Sequence, residues 1–235
     1  MTIEAILFDK DGTLLDFHAT WLPVYGAMAR RLFAQDDPLL ADRLLAAAGY
    51  DPSRGVIAAG SLLAAGNNEE IAACFAAVLG VPATPDMTAA LDRVCAEEGA
   101  GHSVAVPAMA ETLAGLRAQG YRLGVATSDS AAGAEATLAP FGVLPLCDFV
   151  AGYDSGHGSK PGPGMVQGFC TQLGLQPSAV AVVGDNAHDM DMARAAGAAL
   201  KVGVLTGTSS REELALHADH VLESIAELEA LLSSL

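Results

Sequence analysis

Basic residues are scarce in this chain, and lysine most of all. Twelve Lys and Arg stand against 28 Asp and Glu, a formal net charge of −16, and ammonium groups occur only at Lys10, Lys160 and Lys201. Such a surface cannot neutralise a run of phosphates, which excludes nucleic acid and anionic membrane as partners. An anionic substrate must instead be drawn in by a local patch or a bound cation. Cysteine is also sparse: Cys74, Cys95, Cys147 and Cys170 are widely spaced and form no CxxC pair. That speaks against a zinc or redox site and for four small buried side chains in a reducing compartment. No apolar run reaches the roughly 18 to 20 residues of a membrane span. The chain enters Ile3-Glu4-Ala5-Ile6-Leu7-Phe8-Asp9 without a basic leader or cleavage site. A cytoplasmic protein with no signal peptide is therefore expected.

What is present is material for a packed core, with 51% of residues hydrophobic and only 17% charged. Residues 3–9 form a short apolar run ending in an acidic turn. From about 18 to 100 the pattern is helical, Ala and Leu recurring at three and four residues, with breaks at Asp51-Pro52-Ser53-Arg54-Gly55, Gly66-Asn67-Asn68 and Gly80-Val81-Pro82. From about 104 strands and helices alternate. Strands are predicted at 121–126, 147–152, 179–183 and 198–202, with helices at 107–119, 130–140, 163–173 and 187–196; Gly174 and Gly197 are stop signals. Alternation of this kind implies an α/β fold, a Rossmann-like parallel sheet wrapped by helices on both faces. The first strand has no partner in the helical stretch after it, so it belongs to the same sheet. Residues 1–17 and 104–235 thus form the core, and 18–103 an inserted all-helical cap domain.

In an open parallel sheet, ligands bind beyond the carboxyl ends of the strands. Asp9-Lys10-Asp11-Gly12-Thr13 follows the first strand; Thr127, Ser128 and Asp129 follow the second. A glycine-rich loop with Ser159-Lys160-Pro161 follows the third, and Gly184-Asp185-Asn186-Ala187-His188-Asp189 the fourth. Four strand ends deliver carboxylates, hydroxyls and an ammonium to one rim. Ser128 and Asp129 have a second reading as N-caps of the helix after 130, Asp129 being the better one, and Asp189 as a cap of the helix near Ala187. His188 reads as a loop histidine facing solvent. His157 lies nearer the rim, with substrate contact open.

The four sites together resemble the haloacid dehalogenase superfamily. Its DxDGT motif is matched by Asp9-Lys10-Asp11-Gly12-Thr13, its Thr after an apolar strand by Thr127, its Lys-Pro by Lys160-Pro161, and its GDxxxD by Gly184, Asp185 and Asp189. The layout is most similar to phosphoglycolate phosphatase-like members. The resemblance implies Mg²⁺-dependent hydrolysis of a small phosphorylated metabolite through an aspartyl phosphate. It implies Asp9 as nucleophile and Asp11 as general acid and base, with Thr127 and Lys160 as further catalytic residues holding the phosphoryl oxygens and Ser128 near the phosphate. It implies metal ligation by Asp9, the Asp11 carbonyl and Asp185, with Asp189 behind them or acting through water. Such carboxylate clusters need a hard, oxygen-seeking cation. The protein is expected as a monomer or homodimer.

The cap holds five arginines, Arg30, Arg31, Arg43, Arg54 and Arg93, and no lysine. A lysine-dependent phosphonate-cleaving chemistry is thereby disfavoured, and the presence of Asp11 disfavours dehalogenation. Arg54, between Ser53 and Gly55 at a turn, is the best candidate to bind an anionic group of the substrate, against a solvated surface role. A sugar phosphomutase is the alternative enzyme. A phosphate-accepting regulatory or binding module is the non-enzyme alternative, disfavoured by the insertion and by intact motifs.

Overall fold

In the computed structural model, which describes residues 2–35 and 37–235, β1 (Ala5–Phe8) is four apolar residues with every side chain buried. That is the pattern of a strand covered on both faces. It lies at the centre of a six-stranded sheet with β4 (Arg122–Ala126), β5 (Phe149–Ala151), β6 (Val180–Gly184), β7 (Leu200–Val204) and β8 (His220–Leu222), in the order β5-β4-β1-β6-β7-β8. All pairings are parallel; Leu7 stands between Gly124 and Val182. Alternate residues feed opposite faces. Ile6, Phe8, Leu123 and Val183 pack with Leu113 and Leu116 of α6 (Met109–Ala118) and Leu228 of α11 (Leu228–Ser233). Ala5, Leu7 and Val182 pack on the other face with Phe169 of α8 (Gly164–Leu173) and Met192 of α9 (Ala187–Ala196). Helices α8 and α9 end at Gly174 and Gly197, both left-handed as the stop signals require. Two further helices, α7 (Ala131–Leu138) and α10 (Arg211–Leu214), complete this part. Strand β7 begins two residues later than expected, because Ala198 still donates to the Ala193 carbonyl and closes α9.

Between β1 and α6 run α1 (Phe17–Phe33), α2 (Pro38–Ala47), α3 (Leu62–Ala65), α4 (Asn68–Leu79) and α5 (Pro85–His102). They share an apolar cluster of their own, with Trp21, Met28, Leu44, Leu63, Ile71, Phe75 and Leu91 nearly or fully buried. One feature is not helical: a short antiparallel hairpin of β2 (Tyr50–Asp51) and β3 (Val56–Ile57). The Asp51 carboxylate makes it, accepting from the Ser53 amide (2.9 Å) and hydroxyl (2.6 Å), while Gly55 takes φ 67°. The two passages between the helical insert and the sheet pair with each other. Asp16 N donates to Val104 O (2.8 Å) and Val106 N to Leu14 O (3.0 Å). Helix α5 also packs closely on α7, where a Cβ on Gly99 would come within 2.7 Å of Thr137 Cγ2. No helix among the described residues is long and apolar enough to cross a membrane.

Candidate active site

The loop after β1 turns within five residues because Gly12 adopts φ 85° and the Lys10 carbonyl accepts from Leu14 N (2.8 Å) and Leu15 N (2.9 Å). A Cβ on Gly12 would lie 2.6 Å from Asp185 Cγ, so glycine lets the loops after β1 and β6 close on one another. The turn presents Asp9 beside Lys160, whose ammonium donates to Asp9 Oδ1 and Asp189 Oδ1, both at 2.6 Å. All three side chains are nearly buried. Asp185 accepts from the Thr208 amide at 2.9 Å. Oxygens of Asp9, Asp185 and Asp189 all lie within 4.8 Å of one another.

Burial pushes the Asp9 carboxyl up to about 7, opposed by Lys160 and reinforced by Asp189 and Asp11. Burial, then Asp9 and Asp189, push Asp185 well above the ordinary carboxylate range. Burial draws the Lys160 ammonium down, yet Asp189 and Asp9 outweigh it and the net shift is upward. Asp185 pairs with no ammonium or guanidinium among the described residues. Three buried carboxylates sharing one lysine are a hard oxygen donor set, so these residues fit a divalent cation such as Mg²⁺.

A second buried cluster stands beside the first. Lys10 is fully buried, its ammonium 2.8 Å from Asp11 Oδ1 and 3.0 Å from Asp129 Oδ2, and 5.0 Å from the Trp21 ring. Burial alone lowers the Lys10 ammonium, but Asp11 and Asp129 push it up to about 12. Trp21 Nε1, from α1 of the insert, donates to the same Asp11 Oδ1 at 2.6 Å. Thr127 Oγ1 reaches Asp11 Oδ2 at 3.5 Å. Asp11 is thus held from the sheet side by Lys10 and from the insert side by Trp21.

Of the residues singled out from sequence, Asp9, Asp11, Thr127, Ser128, Lys160, Asp185 and Asp189 line a single cleft beneath the insert. Arg54 does not join them: the Asp51–Gly55 turn that shapes the hairpin leaves it exposed and outside that cleft. His188 lines the cleft, whereas His157 packs against Phe149 in a separate groove. The expected N-cap role of Asp129 is corrected. Ser130 caps α7, accepting from Gly133 N, while Asp129 accepts from Ser130 N and pairs with Lys10. Asp189 does cap α9, one oxygen completing the capping box with Asn186, and its other oxygen meets Lys160. Sequence reasoning missed Lys10 and Trp21. The available signals were a lysine inside the motif of a lysine-poor chain, and an aromatic stripe Phe17, Trp21, Tyr25 at intervals of four.

Four contacts tie the insert to the loops around the cleft. Besides Trp21 to Asp11, Ser128 Oγ donates to Ala65 O (3.2 Å), Asn67 Nδ2 to Ser159 Oγ (3.3 Å) and Tyr153 Oη to Asp92 Oδ2 (2.9 Å).

The haloacid dehalogenase-like hydrolase family model matches residues 3–197. Over 96% of this chain and 89% of its own length, the phosphoglycolate phosphatase of Rhodospirillum rubrum is 31% identical. A shorter match is 40% identical over 108 residues to "Probable phosphatase IndB" of Dickeya dadantii; there the chain spans under half the length of that relative, 46% of each. In fold, the crystal structure of CbbY from Rhodobacter sphaeroides in complex with phosphate superposes with a TM-score of 0.71 at 24% identity, covering 97% of this chain and 96% of that one.

Proposed function

The chain belongs to the haloacid dehalogenase-like hydrolases and is a phosphatase of the phosphoglycolate phosphatase-like kind; on that premise we propose that it hydrolyses a small phosphate monoester through an aspartyl phosphate on Asp9, with Mg²⁺ as cofactor. The observation that carries this reading is the Asp9–Lys160–Asp189 array with Asp185 alongside, at the carboxyl end of the central strand β1. Asp9, Asp185 and Asp189, with the Asp11 carbonyl, would hold the cation. Bound there, it supplies positive charge that keeps the carboxylates ionised and offsets the phosphate dianion.

The remaining roles belong to the chain's own groups. An Asp9 carboxylate oxygen attacks phosphorus and the ester oxygen leaves as an alkoxide, which takes the Asp11 proton. The ionised Asp11 then removes a proton from water as that water attacks the aspartyl phosphate. Asp9 and inorganic phosphate are released, and Asp11 regains its proton. Lys160 and Thr127 hold phosphoryl oxygens, donating into a site from which water is largely excluded. Burial favours the protonated form of Asp9, so Lys160 is needed to hold a useful fraction as the nucleophile. The test is Asp9→Asn. It should abolish Mg²⁺-dependent turnover of para-nitrophenyl phosphate while leaving the folded state intact, and acid-quenched wild-type enzyme should carry a phosphoryl adduct on Asp9. Turnover above a few per cent in Asp9→Asn would remove the covalent reading.

A further inference from the structure

The cleft has two unlike walls. The sheet side carries Asp9, Asp11, Asp129, Asp185 and Asp189 against Lys160, with Lys10 locked beneath them. The insert side is mainly apolar, Phe17, Trp21 and Tyr25 from one face of α1, Leu63 from α3 and Ile71 from α4, with Trp21 and Tyr25 stacked at 5.0 Å; Asn68, its polar side chain, already donates to Asp92. Among the described residues, no lysine or arginine of the insert lines this cleft. Both ammonium groups of the site are committed to its own carboxylates, and Arg54 lies outside. A phosphoryl group has Lys160 and Thr127. With Lys160 and the proposed cation engaged by Asp9, Asp185, Asp189 and the phosphoryl group, a second anionic group on the leaving alcohol would meet an apolar wall with no lysine or arginine to offset its desolvation.

Neutral polar partners are available instead. Asn186, 7% exposed, lines the cleft, and its Nδ2 is buried without a hydrogen-bond partner while its Oδ1 caps α9. His188 Nδ1, also on the cleft, is likewise buried and unpartnered. An unpaired buried donor such as Asn186 Nδ2 recognises a hydroxyl and rejects an analogue without one, while His188 Nδ1 donates or accepts according to its tautomer. The docked α5–α7 contact and the four cross-contacts fix the apolar wall over the site.

We infer that the leaving group of the substrate is an uncharged, hydroxyl-bearing alcohol with an apolar face, of the polyol or sugar type, and not a carboxylate such as glycolate. The inference rests on the monoesterase reading above. Its apolar face lies along Trp21, Tyr25 and Leu63, and a hydroxyl accepts from Asn186 Nδ2.

Two substrate pairs that differ only in CH₂OH against carboxylate test this: 2-hydroxyethyl phosphate against 2-phosphoglycolate, and glycerol 1-phosphate against 3-phosphoglycerate. With Mg²⁺, the neutral member of each pair should have a kcat/KM at least tenfold higher. The same pairs titrated by calorimetry into Asp9→Asn should show the same order of affinity, a readout that needs no turnover. Equal values, or a preference for the carboxylates, would overturn the inference. Absence of turnover with every monoester would count against the aspartyl-phosphate reading, and the affinities would still decide this one. Asn186→Ser keeps the capping oxygen and removes Nδ2. It should erase the preference for 2-hydroxyethyl phosphate over ethyl phosphate, and retention of that preference would take Asn186 out of the site. Ala64→Arg, which places a cation on the insert wall, should move the ratio towards the carboxylate member of each pair; an unchanged ratio would show that this wall does not meet the leaving group.

Discussion

Replacing Lys10 by methionine removes the one charge that Asp11 and Asp129 share while roughly preserving volume. The ammonium is fully buried and 2.8 and 3.0 Å from the two carboxylates, whose side chains are 16% and 4% exposed. Its rise from 10.5 to about 12 is already net of burial. At 1.36 kcal/mol per unit this corresponds to about 2 kcal/mol of preference for the charged lysine in the fold. The substitution also strands the buried Asp129 carboxylate and the part-buried Asp11 carboxylate, so the expected loss of unfolding free energy is about 3–5 kcal/mol. Urea denaturation at neutral pH, read by the fluorescence of the single tryptophan and independently by far-ultraviolet circular dichroism, measures it. The double variant Lys10→Met, Asp129→Asn should recover at least about 1 kcal/mol, because one stranded charge is then neutral. The pH dependence has a fixed sign. A raised lysine pKa contributes stability that is complete below 10.5 and lost as pH rises through about 12, a step the variant should lack. A loss below about 1 kcal/mol, with no recovery in the double variant, would refute the reasoning.

Two further outcomes follow from the same geometry. Asp9 is raised from 3.8 to about 7, so in the metal-free protein its contribution to stability is present below 3.8 and lost as pH rises through 7. A cation binds the ionised form, so the gain in Tm from a fixed Mg²⁺ concentration should be larger at pH 8 than at pH 5; equal gains would place the cation elsewhere. Trp21→Phe removes the bond to Asp11 but keeps the apolar wall. A hydrogen bond to a charged group is worth about 1.5–3 kcal/mol, so alkyl phosphates should lose about ten- to a hundredfold in kcat/KM. Para-nitrophenyl phosphate, whose leaving group needs no proton, should change little, and equal losses on both would assign Trp21 to packing alone.

The sheet and its rim were legible because the signals are local. A strand buried on both faces must be an apolar run, and the candidate site residues follow it directly, as Asp9 follows Phe8 and Asp185 follows Gly184. Gly174 and Gly197 stop their helices by a local backbone rule. What was not legible depends on chain segments meeting in space. Lys10 and Asp129 are 119 positions apart, and nothing in Ser128-Asp129-Ser130 distinguishes a cap from a buried counter-ion until Lys10 is beside it. Arg54 illustrates the converse. Its turn was readable from Asp51, Pro52 and Gly55, but the direction in which a turn points is set by packing. The β2–β3 hairpin escaped for a related reason, since two residues per strand are too few to show a period of two.

In the proposed mechanism, one face of α1 links recognition of the leaving group to delivery of its proton. Phe17, Trp21 and Tyr25 recur every four residues, so they form a single stripe, and all three line the cleft. The same Trp21 that offers its ring to the wall orients Asp11 through Nε1, while Lys10 holds that carboxylate from beneath. On the proposed roles, an alcohol that fits would leave α1 in place and Asp11 aimed at the ester oxygen. On the same proposal, an alcohol that does not fit would strain the contacts that hold α1 over the site, the hydrogen bond from Trp21 to Asp11 among them. With these roles, discrimination is then expressed in binding of the leaving group and again where the proton moves, in the transition state. In that proposal the insert selects substrates although, among the described residues, it brings no charged side chain of its own to the cleft.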